Sequence, residues 1–262
     1  MRTAIVAVFS VLFPVFWSGV SAADEYRFVY VTEWGATDVG TSMARWSVGE
    51  DEFAMTGEFA ASGLARMVAS FSGYVSIRSN LRGTDWQAEQ LVIASSYRGR
   101  TTLAETIWSE DGQTATTIAD PLPDEDEVFP VSDDMRQNVT DPFSAMMTVL
   151  RQLETGGTCR RTIQIYDGRR RAELSFTDLG TAQLEKDRAF SFAGDARVCG
   201  IVSTPLGGHR RDSEFTQTDP DPEDIKAFVA QLAPGLFVPV RIEVDLFLGK
   251  LTTRLDLEQS EF

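Results

Sequence analysis

Tyr26, Phe28 and Tyr30 alternate with Arg27, Val29 and Val31, a two-residue period that predicts a strand over 26–33. Further strand-like runs cover 42–48, 52–60, 71–78, 86–96 and 101–108. Gly35 to Gly40, Gly49-Glu50-Asp51, Arg98-Gly99-Arg100 and Asp111-Gly112 supply turns, and 63–68 reads as a short helix or a wide turn. Turn signals every 8–12 residues or so mark an antiparallel sheet, not alternating strands and helices.

A loop-like stretch follows over 119–138, with Pro121, Pro123, Pro130 and the acidic run Asp124-Glu125-Asp126-Glu127. It lacks calcium-loop spacing and reads as an exposed acidic loop. Asp141-Pro142 then opens a helix: an aspartate can cap the free amides, and proline loses nothing at the first position. Phe143, Met146, Met147, Leu150 and Leu153 recur on one face, and Gly156-Gly157 ends the helix. Residues 158–174 read as a hairpin turning at Asp167-Gly168, with Tyr166 opposite Arg169, Ile163 opposite Ala172 and Arg161 opposite Leu174. Residues 181–192 suggest a broken strand, 197–202 a strand carrying Cys199, and 205–212 a polar loop. A second helix is expected over 220–232, with Ile225, Phe228, Val229 and Leu232 on one side and Pro234-Gly235 as its stop. Residues 238–248 alternate again and turn at Gly249-Lys250, placing Ile242 opposite Leu257.

The fold expected is mainly β: a curled antiparallel sheet forming an open or spiral β-barrel with two packed helices. Curling removes exposed sheet edges and gives the apolar helix faces something to cover. The two faces then become candidate walls of a ligand cavity: Phe143, Met146, Met147 and Leu150 from one helix, Phe228, Val229 and Leu232 from the other.

The first 22 residues read as an export signal: Arg2, a largely apolar run over 4–17, then small residues around Ala22. Residues 23–262 form one β-rich domain, expected in the periplasm, with no transmembrane segment in the mature chain. The chain carries a formal net charge of −15, which argues against binding to nucleic acid or an anionic membrane surface. Its two cysteines, Cys159 and Cys199, are expected to form a structural disulfide between neighbouring strands in an oxidising compartment. Two distant cysteines and a single histidine, His209, make no metal site, and no cofactor is implied. No nucleophile elbow or phosphate loop occurs. Arg169, Arg170, His209, Arg210 and Arg211 are candidate contacts for an anion or an envelope partner. Two functional classes stay open: a non-catalytic envelope protein holding a hydrophobic or amphiphilic ligand or a protein partner, or a purely structural scaffold, and a carboxylate-dependent enzyme acting on peptidoglycan or glycans.

Taken in order, Tyr26 and Gly40, Ser62-Gly63-Leu64, Asp141-Pro142-Phe143-Ser144, Cys159, Tyr166-Asp167-Gly168-Arg169-Arg170, Cys199, Pro239-Val240-Arg241-Ile242 and Gly249 resemble a bacterial family known as domain of unknown function 3108. The resemblance runs through nearly all of the mature chain. It implies an exported envelope domain built as a curved, mostly antiparallel sheet, similar in architecture to periplasmic lipoprotein carriers. It supplies no catalytic residues, and architecture alone does not transfer function.

Overall fold

A computed structural model describes residues 23–63, 65–68, 70–212, 221–246 and 249–262. The expected export signal lies outside these residues. Thirteen strands form one antiparallel sheet: β1 (Asp24–Trp34), β2 (Thr37–Val48), β3 (Glu52–Ala61), β4 (Phe71–Arg82), β5 (Asp85–Tyr97), β6 (Arg100–Trp108), β7 (Ala115–Asp120), β8 (Arg161–Tyr166), β9 (Arg171–Leu184), β10 (Gly194–Gly207), β11 (Ile225–Ala233), β12 (Leu236–Leu246) and β13 (Gly249–Leu255). A one-turn helix, α1 (Ala65–Val68), sits between β3 and β4, and the long helix α2 (Pro142–Glu154) between β7 and β8. Sheet neighbours are sequence neighbours except at one seam, where β1 pairs with β13. The chain therefore winds outward from the seam to β7, crosses through α2, and winds back from β8.

Alternation makes this sheet two-faced. Tyr26, Trp46, Met55, Ile77, Leu91 and Thr106 lie opposite one another across β1 to β6 and point inward with Phe28 and Phe53. They join Val198, Val238, Val240 and Leu255 from the other half in one hydrophobic core. Helix α2 occupies this inner side, packing on β5, β8 and β12 and burying Ala145, Met147, Val149, Leu150 and Leu153. Its N-cap is the expected one: the Asp141 carboxylate accepts from the Phe143 and Ser144 amides at 2.8 and 3.1 Å. Ser144 also donates to Asp141 and meets Ser79 of β4 at 2.5 Å, tying the helix start to the sheet.

The barrel nearly closes. Residues 137–140 run between the edge strands: the Asn138 amide donates to the Gln113 carbonyl at 2.7 Å, that of Thr140 to Gln164 at 3.1 Å, and that of Tyr166 to Thr140 at 2.9 Å. The β8–β9 turn tucks against the inner side of β6 and β7, where Gly168 lies over Thr106, Ala104 and Thr117.

Several expectations need correction. One long helix is present among the described residues, not two: 225–233 is strand β11. It pairs with β10 and β12, and Ala227, Phe228, Val229 and Ala230 are all buried. A strand covered on both faces loses its alternation, and an unbroken apolar run then mimics helical spacing. Pro220, the expected helix start, and Leu64 and Leu248 lie outside the described residues. Residues 115–120, read as partly loop, form β7. The 158–174 hairpin pairs Tyr166 with Arg171, Ile165 with Ala172 and Ile163 with Leu174, a four-residue loop instead of two. Asp167 sets that loop, its carboxylate accepting the Arg169 and Arg170 amides at 3.0 and 2.7 Å. In the last hairpin Ile242 faces Thr253, not Leu257. Both shifts are even numbers of residues, so every side chain keeps its face. The Cys159–Cys199 bridge forms, with Cα atoms 5.6 Å apart, but not between neighbours: β9 lies between β8 and β10, and the bridge crosses it.

Candidate functional site

The outer face of β1 to β7 carries an open groove of about 950 Å³. Two rows of cross-strand neighbours build it. One runs Val29, Met43, Glu58, Tyr74, Ala94, Leu103, Asp120; the other Val31, Thr41, Ala60, Ser72, Ser96, Thr101. The second row is small apart from Val31, which leaves the strand backbone open as a floor. The first row raises one wall, with Tyr74 and Leu103 largely exposed. Arg27 stands at one end, its guanidinium donating to the Gln259 carbonyl at 2.5 Å, and Asp120 and Pro121 at the other. Seven strands at about 4.8 Å spacing give the groove a length of roughly 29 Å. No line of the sequence reading reached it. Its signal was present, a serine, threonine or alanine at the same end of each of β2 to β6 on the solvent side, but it becomes a feature only once register aligns the strands.

A smaller pocket of about 550 Å³ lies beside the C-terminal half of α2. Of the seven residues named as a cavity wall, Met147 and Leu150 line it, with Tyr26, Trp46, Trp86 and Phe237. Its mouth is charged, by Asp24, Glu50, Arg151 and Glu154. Phe228 and Val229 are buried in the core, and Phe143, Met146 and Leu232 pack against it half-buried.

The five candidate contact residues are brought together, but their charges are spent on the protein itself. Gly208 packs directly on the Arg169–Arg170 backbone: a side chain there would collide with the Arg169 carbonyl, and its φ of +77° favours glycine. Arg169 donates to the Leu103 and Pro121 carbonyls at 3.0 and 2.8 Å, and Arg170 pairs with Asp167 at 2.8 Å. Arg210 is shared by Glu127 and Asp212 at 3.0 and 2.9 Å, which raises its pKa. Arg211 lies over the Phe129 ring at 4.6 Å, and the His209 ring packs on Phe129 at 4.6 Å. These residues pin the acidic 124–130 loop to the β8–β9 turn.

A buried ionic cluster escaped the sequence reading. Arg241 and Arg254 sit directly opposite each other on β12 and β13. Asp187, from the loop after β9, reaches between them at 2.9 and 2.8 Å. Glu33, almost fully buried on β1, accepts from Arg254 and from Arg188, the latter at 2.8 Å. The cluster therefore spans the β1–β13 seam and the loop over it. Among the described residues no group of His, Cys, Asp and Glu is placed to hold a metal, and no helix is long and apolar enough to cross a membrane.

A single curled antiparallel sheet closed by a helix and an outer trough defines a barrel-like all-β protein. A crystal structure titled as a beta-barrel-like protein of domain of unknown function DUF1849, from Brucella abortus, has this fold: TM-score 0.50 at 10% identity, over 88% of this chain and 95% of that one. The sequence model of the family described as "Protein of unknown function (DUF3108)" matches residues 29–256, and the chain belongs to that family. No curated protein matches it.

Proposed function

We propose that this is an exported, periplasmic, non-catalytic protein that holds an amphiphilic molecule along the outer groove in support of the cell envelope. The observation that carries the reading is the trough itself: about 950 Å³, open along its length, floored by small side chains and walled by Val29, Met43, Tyr74 and Leu103. Its length of roughly 29 Å exceeds the ~15 Å depth of one bilayer leaflet, so an apolar chain can lie full length in it. Hydroxyls of Thr41, Ser72, Ser96 and Thr101 offer hydrogen bonds to a polar group. The inner side of the sheet is occupied by α2 and the aromatic core, which favours the outer face over a site beneath the helix.

Native mass spectrometry and lipid extraction of protein purified from the periplasm test this directly. A copurified amphiphile is expected, and Ala60→Trp with Ser72→Trp, both on the trough floor, should abolish its retention while the fold survives. Arg151→Trp, at the mouth of the helix-side pocket, should leave retention intact. Ligand-free protein that also fails to take up a fluorescent fatty acid would refute the proposal.

A further inference from the structure

The two edges of the sheet are not treated alike. Thr140 covers β8 through hydrogen bonds with Gln164 and Tyr166. The edge of β7 is met only at its beginning, by the Asn138 amide on the Gln113 carbonyl and a bridge of Gln137 to Thr114. The Ser109 amide donates to the Thr114 carbonyl at 2.9 Å, which sets the phase of the β6–β7 ladder. Thr116, Ile118 and Asp120 then turn their backbone groups to β6, and Thr117 and Ala119 turn theirs outward. Among the described residues those outward amides and carbonyls have no backbone partner.

Edge strands are ordinarily blunted by lysine, proline, a bulge or an inward charge. In β7 the blunting is confined to the end, Asp120 with Pro121 directly after it; Ala115-Thr116-Thr117-Ile118-Ala119 carries none, and its centre is β-branched. The outer face beside it exposes large apolar side chains among polar ones: Ile118 is 75% exposed and Leu122 79%, with the exposed Leu103 and Ile107 flanking Glu105, which lies opposite Ile118.

We propose that β7 pairs antiparallel with β7 of a second copy of this chain, across a two-fold axis at Ile118. The strand is complementary to itself in that register. Thr117 comes opposite the partner's Ala119, and Ala119 opposite the partner's Thr117; each pair exchanges both backbone bonds. The two Ile118 side chains meet in the central pair, where side chains approach most closely. Thr116 faces the partner's Asp120, so no like charges oppose each other. Centring the axis on Thr117 instead would drive the partner's Asp120 and Pro121 against Gln137 and Asn138; centred on Ile118, the partner's chain has only to leave the strand after Pro121 to clear them. A two-fold axis closes on itself, so pairing through β7 stops at two copies, and β8 is met by Thr140 at Gln164 and Tyr166. The formal charge of −15 on each copy opposes association at low ionic strength. Screening at about 0.15 M salt, with a Debye length near 8 Å, relieves it, so the dimer strengthens as salt is added.

Light scattering on the full exported protein, with its native disulfide intact, gives the first readout: a dimer at about 0.15 M salt, dissociating as salt is withdrawn. Ile118→Cys gives the second. Opposed residues of a non-hydrogen-bonded pair have Cα atoms about 4.5 Å apart, within disulfide reach, so mild oxidation should link two copies covalently. Thr116→Cys should not link, since the two copies of that residue are about 14 Å apart along the strands. Thr117→Pro removes the outward amide and also the hydroxyl that meets Thr106 at 2.9 Å, so Thr117→Val, which loses the hydroxyl alone, is its control: the proline variant should be a folded monomer by circular dichroism and the valine variant a dimer. A wild type that stays monomeric at high concentration in salt overturns the proposal, as does equal cross-linking at 116 and 118, or a dimer unaffected by Thr117→Pro.

Discussion

Asp187 holds two buried guanidinium groups that face each other across β12 and β13, Arg241 at 14% and Arg254 at 10% side-chain exposure. Remove the carboxylate and the opposed cations keep only Glu33 on Arg254 and, at 3.8 Å, Glu243 on Arg241, a partial compensation for the several kcal/mol that breaking a buried pair ordinarily costs. Asp187 is itself a third exposed, so Asp187→Ala should lose about 3 kcal/mol in urea unfolding at pH 7, the lower end of that range. Burial pushes its pKa up, but hydrogen bonds from Arg254 and Ser191 and the charge of Arg241 outweigh that and leave it lowered. A lowered carboxylate stabilises the fold above its unfolded value, ordinarily about 3.9, and that stability drains away as pH falls through the folded value. The wild type should therefore weaken below about pH 4, and Asp187→Asn should be less stable at pH 7 but flatter over that acid range. Asp141 has the opposite sign. Burial raises its pKa despite the bonds from Ser144 and Phe143, so its ionised form costs stability as pH rises through its unfolded value toward the folded one. Asp141→Asn keeps an acceptor for the two amides and should stay within about 0.5 kcal/mol of wild type at pH 7, whereas Asp141→Ala should lose about 1–2 kcal/mol. Equal losses in the two variants would mean that the charge, not the cap, is what matters there.

Elements divide by how local their causes are. The alternation of β1 to β6 and the Asp141-Pro142 start of α2 were legible because period, turn and cap are encoded within a few residues. β11 was not, because its spacing at Ile225, Phe228, Val229 and Leu232 satisfies a helix, and only pairing with β10 and β12 decides against it. Hairpin registers missed by even steps for a similar reason. Alternation fixes the face, but the loop length at Asp167 depends on its carboxylate gathering two amides. The candidate site was the least legible part, since the groove is a property of seven aligned strands, and Arg169 finds its carbonyl partners 66 and 48 residues away and Arg210 its Glu127 partner 83. Two elements can be tested by single changes. The Cys159–Cys199 bridge clamps β9 where Asp178 accepts from Gly180 at 2.9 Å and from Arg197, so replacing both cysteines by serine should cost about 2–5 kcal/mol without moving the strands. Gly208→Ala should cost more than about 1 kcal/mol by melting, since both its φ and the Arg169 carbonyl forbid a Cβ.

At the scale of the whole molecule, the question is whether the two windings of the sheet, β1–β7 and β8–β13, are one folding unit. Each has its own hairpins, and they meet at the five-pair ladder of β1 with β13 and across α2. That seam joins residues more than 200 apart in sequence, so its loop-closure cost is met late in folding and it rewards nothing until both windings exist. Yet neither winding closes its core without the other: Phe28 and Trp46 share one cluster with Val238 and Leu255, and α2 rests on β5 from one and β8 and β12 from the other. A helix left with half its buried face exposed is unstable by itself. The whole barrel is therefore expected to unfold in one transition, with calorimetric and van't Hoff enthalpies equal. Weakening the seam is the sharper case. Glu33→Gln removes the buried charge that Arg254 and Arg188 meet on β1. If the windings were separate units joined at their edges, this change would split the melt in two and leave one half at its original temperature. Because the core is shared, a single transition at lower temperature is expected instead. Two resolved transitions in the variant, one at the wild-type temperature, would show that the seam only fastens two independent halves.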